Sequence, residues 1–180
     1  LTTERLEISL LLPSDELKII DFLRDPDVWN MRGLRYSPIE NIHISYQNHY
    51  DSVPWYNYYF ALRTRLSSEP IGFIGFYQLS RPDLISPVIS QTPYEPVKLS
   101  YGLSKTYWGQ GIMSEALAVC VPWFVKSQTV RQLVGFAEVN NHVSRRLLQK
   151  LGLQDYGLLE DSMFSAEEKN MSRFVVYKSE

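Results

Sequence analysis

Apolar and polar residues alternate over residues 5–12, the two-residue period of a half-buried strand, and Pro13 stops the run. Ser14 or Asp15 then stands where a helix cap belongs, ahead of a helix reaching about Leu23, and Asp25-Pro26-Asp27 breaks the chain again. Pro38 sets the start of a second helix over residues 39–52. Residues 56–65 and 70–79 read as a hairpin turning at Leu66-Ser67-Ser68-Glu69. The aromatic run Trp55-Tyr56-Asn57-Tyr58-Tyr59-Phe60 gives its first strand two packed faces, with the lining of a pocket as a secondary role. Residues 81–96 hold four prolines and little periodicity, so they read as a long loop.

A strand is predicted over 97–104, and Gly111 opens a helix towards Lys126. Pro122 inside that helix predicts a kink or an early end, because the carbonyl of Ala118 loses its partner. A strand over 132–139 follows, then a helix over 142–151 closed by Gly152, then strands over 153–159 and 173–178. The fold class is therefore α+β, a mixed and mostly antiparallel twisted sheet of about six to seven strands flanked by about four helices.

The 180 residues favour one domain over 1–180, with 44% hydrophobic residues to fill its core. A formal net charge of -2 leaves no overall basic excess, which argues against a nucleic-acid partner. Cys120 is the sole cysteine, so an intrachain disulfide and a cysteine-based zinc site are excluded and no metal is expected. That usage fits a reducing compartment, here the cytoplasm. No apolar run is long enough to span a bilayer, so no membrane partner is expected. The opening Leu1-Thr2-Thr3-Glu4-Arg5 lacks the regions of a signal peptide, and the start without Met leaves room for upstream residues.

The chemistry gathers after the strand that ends near Ser104. A tight turn carries Gly109 and Gly111, and a helix begins there. First-turn N–H groups lack intrahelical partners and point out of the positive end of the helix dipole. Glycine allows positive φ and close approach of a ligand, and Ser114 adds a hydroxyl. Such a turn suits a pyrophosphate, although Gly-x-Gly before a helix also occurs as plain turn chemistry. A P-loop and a Rossmann fingerprint are both absent.

The segment Leu103-Ser104-Lys105-Thr106-Tyr107-Trp108-Gly109-Gln110-Gly111-Ile112-Met113-Ser114-Glu115-Ala116-Leu117 resembles the acetyl-CoA motif of the GNAT superfamily. It is most similar to the branch of the ribosomal-protein N-terminal acetyltransferases and spermidine acetyltransferases. Asn141-His142-Val143-Ser144-Arg145-Arg146-Leu147-Leu148-Gln149-Lys150-Leu151-Gly152-Leu153 resembles that branch's Asn-x-x-Ser segment with its following Lys-Leu-Gly-Phe. Leu1-Thr2-Thr3-Glu4-Arg5-Leu6 is similar to its first strand, and Pro70-Ile71-Gly72-Phe73-Ile74-Gly75 to its central hairpin.

The resemblance implies an acetyl-CoA cosubstrate and a primary amine acceptor, either a protein N-terminus or a small molecule. Cofactor-binding positions are then Tyr101, Gly102 and Leu103 on the strand, Trp108, Gly109, Gln110, Gly111, Ile112, Met113 and Ser114 in the turn, and Asn141, Ser144 and Arg145 beyond it. The N–H near Leu103 would polarise the thioester carbonyl. Asn141 would hold pantetheine, Ser144 would protonate the departing thiolate, and Arg145 or Lys150 would reach the ADP phosphates, although a solvated helix face suits at least one of them better. Met113 replaces a small residue and is expected to crowd the pyrophosphate edge slightly.

The family's usual carboxylate, in a pattern like Glu-Ile-Gly-Tyr, falls on Lys98 of Lys98-Leu99-Ser100-Tyr101. The base candidates that remain are Glu138, on the strand beside the cleft, and Glu95, with Tyr101 more simply a packing residue. An α-amine, with a pKa near ~8, is an easier nucleophile than a lysine at ~10.4. Cys120 reads as a buried thiol, and His43 and His49 as a helix face rather than a metal pair. Glu160, Asp161, Glu167 and Glu168 read as a solvated loop or as an acidic lip for a cationic amine. Lys98 also keeps open a catalytically degenerate acyl-CoA-binding module. The aromatic strands admit a monomer or a homodimer.

Overall fold

The computed structural model describes residues 1–30, 58–78, 96–158 and 172–178. Period-two alternation produces the strands. They are β1 (Leu6–Leu10), β2 (Tyr58–Thr64), β3 (Pro70–Gln78), β4 (Val97–Leu103), β5 (Gln132–Glu138), β6 (Gln154–Leu158) and β7 (Ser172–Lys178). They form one seven-stranded sheet in the order β1-β2-β3-β4-β5-β7-β6. Every neighbouring pair is antiparallel except β4 and β5, which run parallel. The four described helices are α1 (Glu16–Leu23), α2 (Pro26–Asn30), α3 (Ile112–Ser127) and α4 (His142–Lys150).

Alternation sorts the side chains onto two faces. On one, Leu62, Ile74, Phe76, Leu99 and Leu133 pack under α3 and α4, with Leu117, Cys120, Phe124 and Leu148 coming down from the helices. On the other, Ala61 and Phe73 meet Ile19, Ile20 and Leu23 of α1 and Val28 of α2. The aromatic strand shows both faces: Tyr58 packs edge-on to Phe124, and Tyr59 stacks with Tyr77.

The helix ends refine two expectations. Asp15 is the N-cap of α1, yet its side chain makes no cap bond. The carboxylate instead takes Arg63 at 2.6 Å and the Leu12 N–H at 2.9 Å, because a buried guanidinium needs a counter-ion more than an exposed helix end needs a cap. The helix α3 also does not stop at Pro122 but continues to Ser127, where burial of Val121 and Phe124 offsets the lost hydrogen bond. At Pro26 the break does occur, and the proline then opens the single turn of α2. Gly152 closes α4 as expected, with φ 83°, and Leu153 N–H returns to the Leu148 carbonyl at 3.1 Å. The helix predicted over 39–52 and the loop over 81–95 lie outside the described residues.

Candidate functional site

The parallel pair at the middle of the sheet is short. The strands β4 and β5 are in register at Val97–Leu133, Lys98–Val134 and Leu99–Gly135, and there the pairing ends. Both strands continue, β4 to Leu103 and β5 to Glu138, so they part and leave a gap. Beyond Leu99, β4 still pairs with β3 through Gly72–Leu103, so only its β5-facing edge is open. Ser104 N–H bonds to Ile71 of β3, and alternation then turns the backbone groups of Leu103 and Tyr101 towards the gap. Trp108 Nε1 donates to the Leu103 carbonyl at 2.8 Å. That leaves the Leu103 N–H and both Tyr101 groups to meet an extended ligand. The opposite wall depends on Gly135, where a Cβ would stand 2.6 Å from Leu148 Cδ2, so α4 lies tight against β5.

The open edge leads to the glycine turn. Gly109 and Gly111 both take left-handed φ, 74° and 73°. The first helical bond of α3 runs from Glu115 N–H to the Gly111 carbonyl, leaving the N–H groups of Ile112, Met113 and Ser114 ahead of it. Left-handed glycines beside an outward-facing first turn fit a pyrophosphate. Side chains matter less here. Ile112 and Met113 are buried in the core, so Met113 does not crowd the rim. Gln110 Nε2 turns back onto the Thr106 carbonyl, and Ser114 is half-buried at the third helical position.

A brace from the N-terminus holds this turn. Arg5 Nε donates to Glu115 Oε2 at 2.6 Å, and Arg5 Nη1 donates to the Gln110 carbonyl at 2.9 Å. The Thr3 hydroxyl donates to Glu115 Oε1. This bond and those from Arg5 hold the Glu115 carboxyl below the usual carboxylate range. Sequence reading missed the brace, because pairing across 110 positions leaves no local signal.

The start of α4 closes the gap. Asn141 caps it, accepting from Ser144 N–H at 3.0 Å. The Ser144 Oγ lies 2.7 Å from the Tyr101 hydroxyl, which joins a strand residue to a helix residue across the gap. Burial pushes the Tyr101 phenol up to about 12, so it stays protonated at neutral pH. Tyr101 is thus more than packing. Arg145 is tied to Asp155 at 3.2 Å and to the Val139 carbonyl at 3.3 Å, so its guanidinium anchors α4 to β6 rather than reaching the turn. Lys150 lies at the far end of α4, about 12 Å along the axis from His142.

Glu138 ends β5 half-buried on the face opposite α4, together with Val134 and Phe136. Lys98 projects from the same face of β4. Burial pushes the Cys120 thiol up to about 12, leaving it inert in the core. His43, His49, Glu95 and the acidic residues 160–168 lie outside the described residues.

The profile of the acetyltransferase (GNAT) domain matches residues 5–154, and the chain belongs to that family. An uncharacterized N-acetyltransferase p20 of Bacillus licheniformis is 26% identical over 102 residues. That match covers 57% of this chain and 51% of the relative, so the chain aligns with about half of its length. The ribosomal-protein-S5-alanine acetyltransferase of Vibrio fischeri has a similar fold, with TM-score 0.72 at 16% identity, over 99% of this chain and 95% of that one. RimL, a ribosomal L7/L12 α-N-protein acetyltransferase solved with coenzyme A, gives TM-score 0.70 at 15% identity, over 98% and 95% of the two chains.

Proposed function

We propose that this chain is an acetyl-CoA-dependent N-acetyltransferase that moves the acetyl group directly to a primary amine. The observation that carries the reading is the parting of β4 and β5 in line with the glycine turn of α3. One open backbone edge suits a pantetheine arm, and the outward N–H groups at its end suit a pyrophosphate. Bound there, acetyl-CoA supplies an activated acyl carbon with a thiolate leaving group. The Leu103 N–H would stabilise the oxyanion at that carbon. The amine nitrogen gains a carbon bond, the carbon–sulfur bond breaks, one amine proton leaves to a base, and the thiolate takes a proton. Ser144, steadied by Tyr101, is the donor to sulfur in this scheme. Glu138, on the opposite face, is the candidate base.

The acceptor is a protein N-terminus or a small amine. Two proteins of similar fold carry names that specify ribosomal-protein substrates, which supports the first. An unprotonated α-amine is also the easier nucleophile near neutral pH. Lys98, at the position of the family's carboxylate, favours a second reading as a binding module without turnover.

Thermal unfolding with and without acetyl-CoA, combined with thiol release across a panel of amines, tests both. Acetyl-CoA is expected to raise the Tm, and thiol release is expected to require an amine. Stabilisation without turnover would select the binding module, and no stabilisation at saturating acetyl-CoA would overturn both.

A further inference from the structure

Lys98 is half-buried in the fourth strand and points to the sheet face that carries α1, away from α3 and α4. Its Nζ lies 5.1 Å from the centroid of the Tyr77 ring and 5.2 Å from that of Phe136. Its register partner on β5 is Val134, whereas Phe136 lies beyond the last β4–β5 pair. The ammonium therefore leans forward, towards the mouth of the gap. Among the described residues its partners are these two rings, and no carboxylate joins it in an ion pair.

Aromatic faces stabilise a cation without neutralising it. A half-buried ammonium held this way still has N–H donors for an incoming anion. Its position favours the acceptor over the cofactor. With pantetheine in the gap and α3 and α4 covering one face, a nucleophile reaches the thioester from the other face, where Lys98 and Phe136 stand. One ammonium balances the single charge of a carboxylate, whereas a phosphate dianion at the same place would leave a charge unanswered. Ser100, on the same face, adds a hydroxyl.

We propose that Lys98 is the anion subsite of the acceptor pocket, and that the acceptor is a small α-amino acid whose carboxylate docks on Lys98 while its amine faces the gap. This inference rests on the acetyl-transfer reading and narrows it.

The test compares L-phenylalanine with L-phenylalaninamide and L-methionine with L-methioninamide as acceptors in the wild-type protein, scored by kcat/KM, with acetyl-CoA-induced thermal stabilisation measured alongside. The acids are expected to be preferred on the order of tenfold, the size of one charged hydrogen bond. Lys98→Met should collapse that ratio by raising KM for the acids, Lys98→Arg should retain part of it, and acetyl-CoA should stabilise both variants. Equal rates for acids and amides, no turnover of any acid, or a ratio that Lys98→Met leaves in place would overturn the inference. The wild-type comparison decides even if a variant fails to fold. Missing acetyl-CoA stabilisation would instead strike the acetyl-transfer reading and take this inference with it, whereas stabilisation with amide-selective turnover would strike this inference alone.

Discussion

The two faces of the sheet are built differently. On the side of α3 and α4 the polar groups near the gap are already partnered: Tyr101 with Ser144, Asn141 with the Ser144 N–H, and Trp108 with the Leu103 carbonyl. On the side of α1, the partners of Lys98 among the described residues are the ring faces of Tyr77 and Phe136. One face holds its groups rigid in advance, as recognition of a constant ligand requires. The other leaves a charge to be answered, as selection among variable ligands requires. A shared cosubstrate and an individual acceptor would divide in this way.

The sharpest challenge to the contrast is Gly111→Val. Its left-handed φ of 73° is costly for a β-branched residue, by about 1–2 kcal/mol, and the turn's N–H groups would lose their aim. We expect acetyl-CoA affinity to fall by about a hundredfold or more with the fold retained, measured by calorimetry and circular dichroism. Tolerance at Gly111 would detach the turn from cofactor binding. Next, Ser144→Ala should lower kcat on the order of tenfold to a hundredfold with little change in KM for acetyl-CoA. Tyr101→Phe should lower it less. The double variant should resemble Ser144→Ala alone, since the two act as one unit. Additive losses would separate the pair.

Glu138→Gln probes the other face. It should depress the rate without weakening acetyl-CoA binding and remove an acidic limb from the pH–rate profile; an unmoved profile would dismiss Glu138 as base. A smaller effect is expected for Glu115→Gln, which keeps the shape but loses the charge of the brace. Acetyl-CoA affinity should fall only severalfold, because the Arg5–Glu115 pair is partly exposed and screened by salt. In the wild type the Glu115 carboxyl is held low, so its contribution is full at neutral pH and is lost as pH falls through that lowered value.

A separate effect lies in alkali. Tyr101 and Cys120 are raised from 10.0 and 9.0 to about 12, so each favours the folded chain below its ordinary value. That advantage disappears as pH climbs towards about 12. Denaturant titrations from neutral to alkaline pH should show the decline, and Cys120→Ala should flatten its lower part.

What the sequence revealed depends on how local the physics is. The strands and α4 were legible because burial imposes a period on adjacent residues, and Gly111 because a single residue type answers a single φ. Asp15 does stand at the cap, but Arg63, 48 positions away, outcompetes the helix end for its carboxylate, which no local signal announces. The early end that Pro122 allowed does not occur, because burial of Val121 and Phe124 overrides a local propensity. Arg145 reads as a phosphate ligand until folding brings Asp155 beside it. The gap itself is a matter of where a pairing register stops, which no residue type announces.

The Arg5–Glu115 contact also bears on the order of assembly. The phosphate turn is local in sequence, yet it is steadied by a bond that closes a loop of 110 residues. Long loops close late and slowly, since their entropy is spent before the contact returns it. A chain leaving the ribosome has made Arg5 long before Glu115 exists to receive it. The steadied turn is therefore a late product of folding, and tight acetyl-CoA binding would report that the first strand has reached its place. A chain weakened in β1 should accordingly be rescued by acetyl-CoA more than one weakened in α1, because the ligand favours the state in which that long loop is closed.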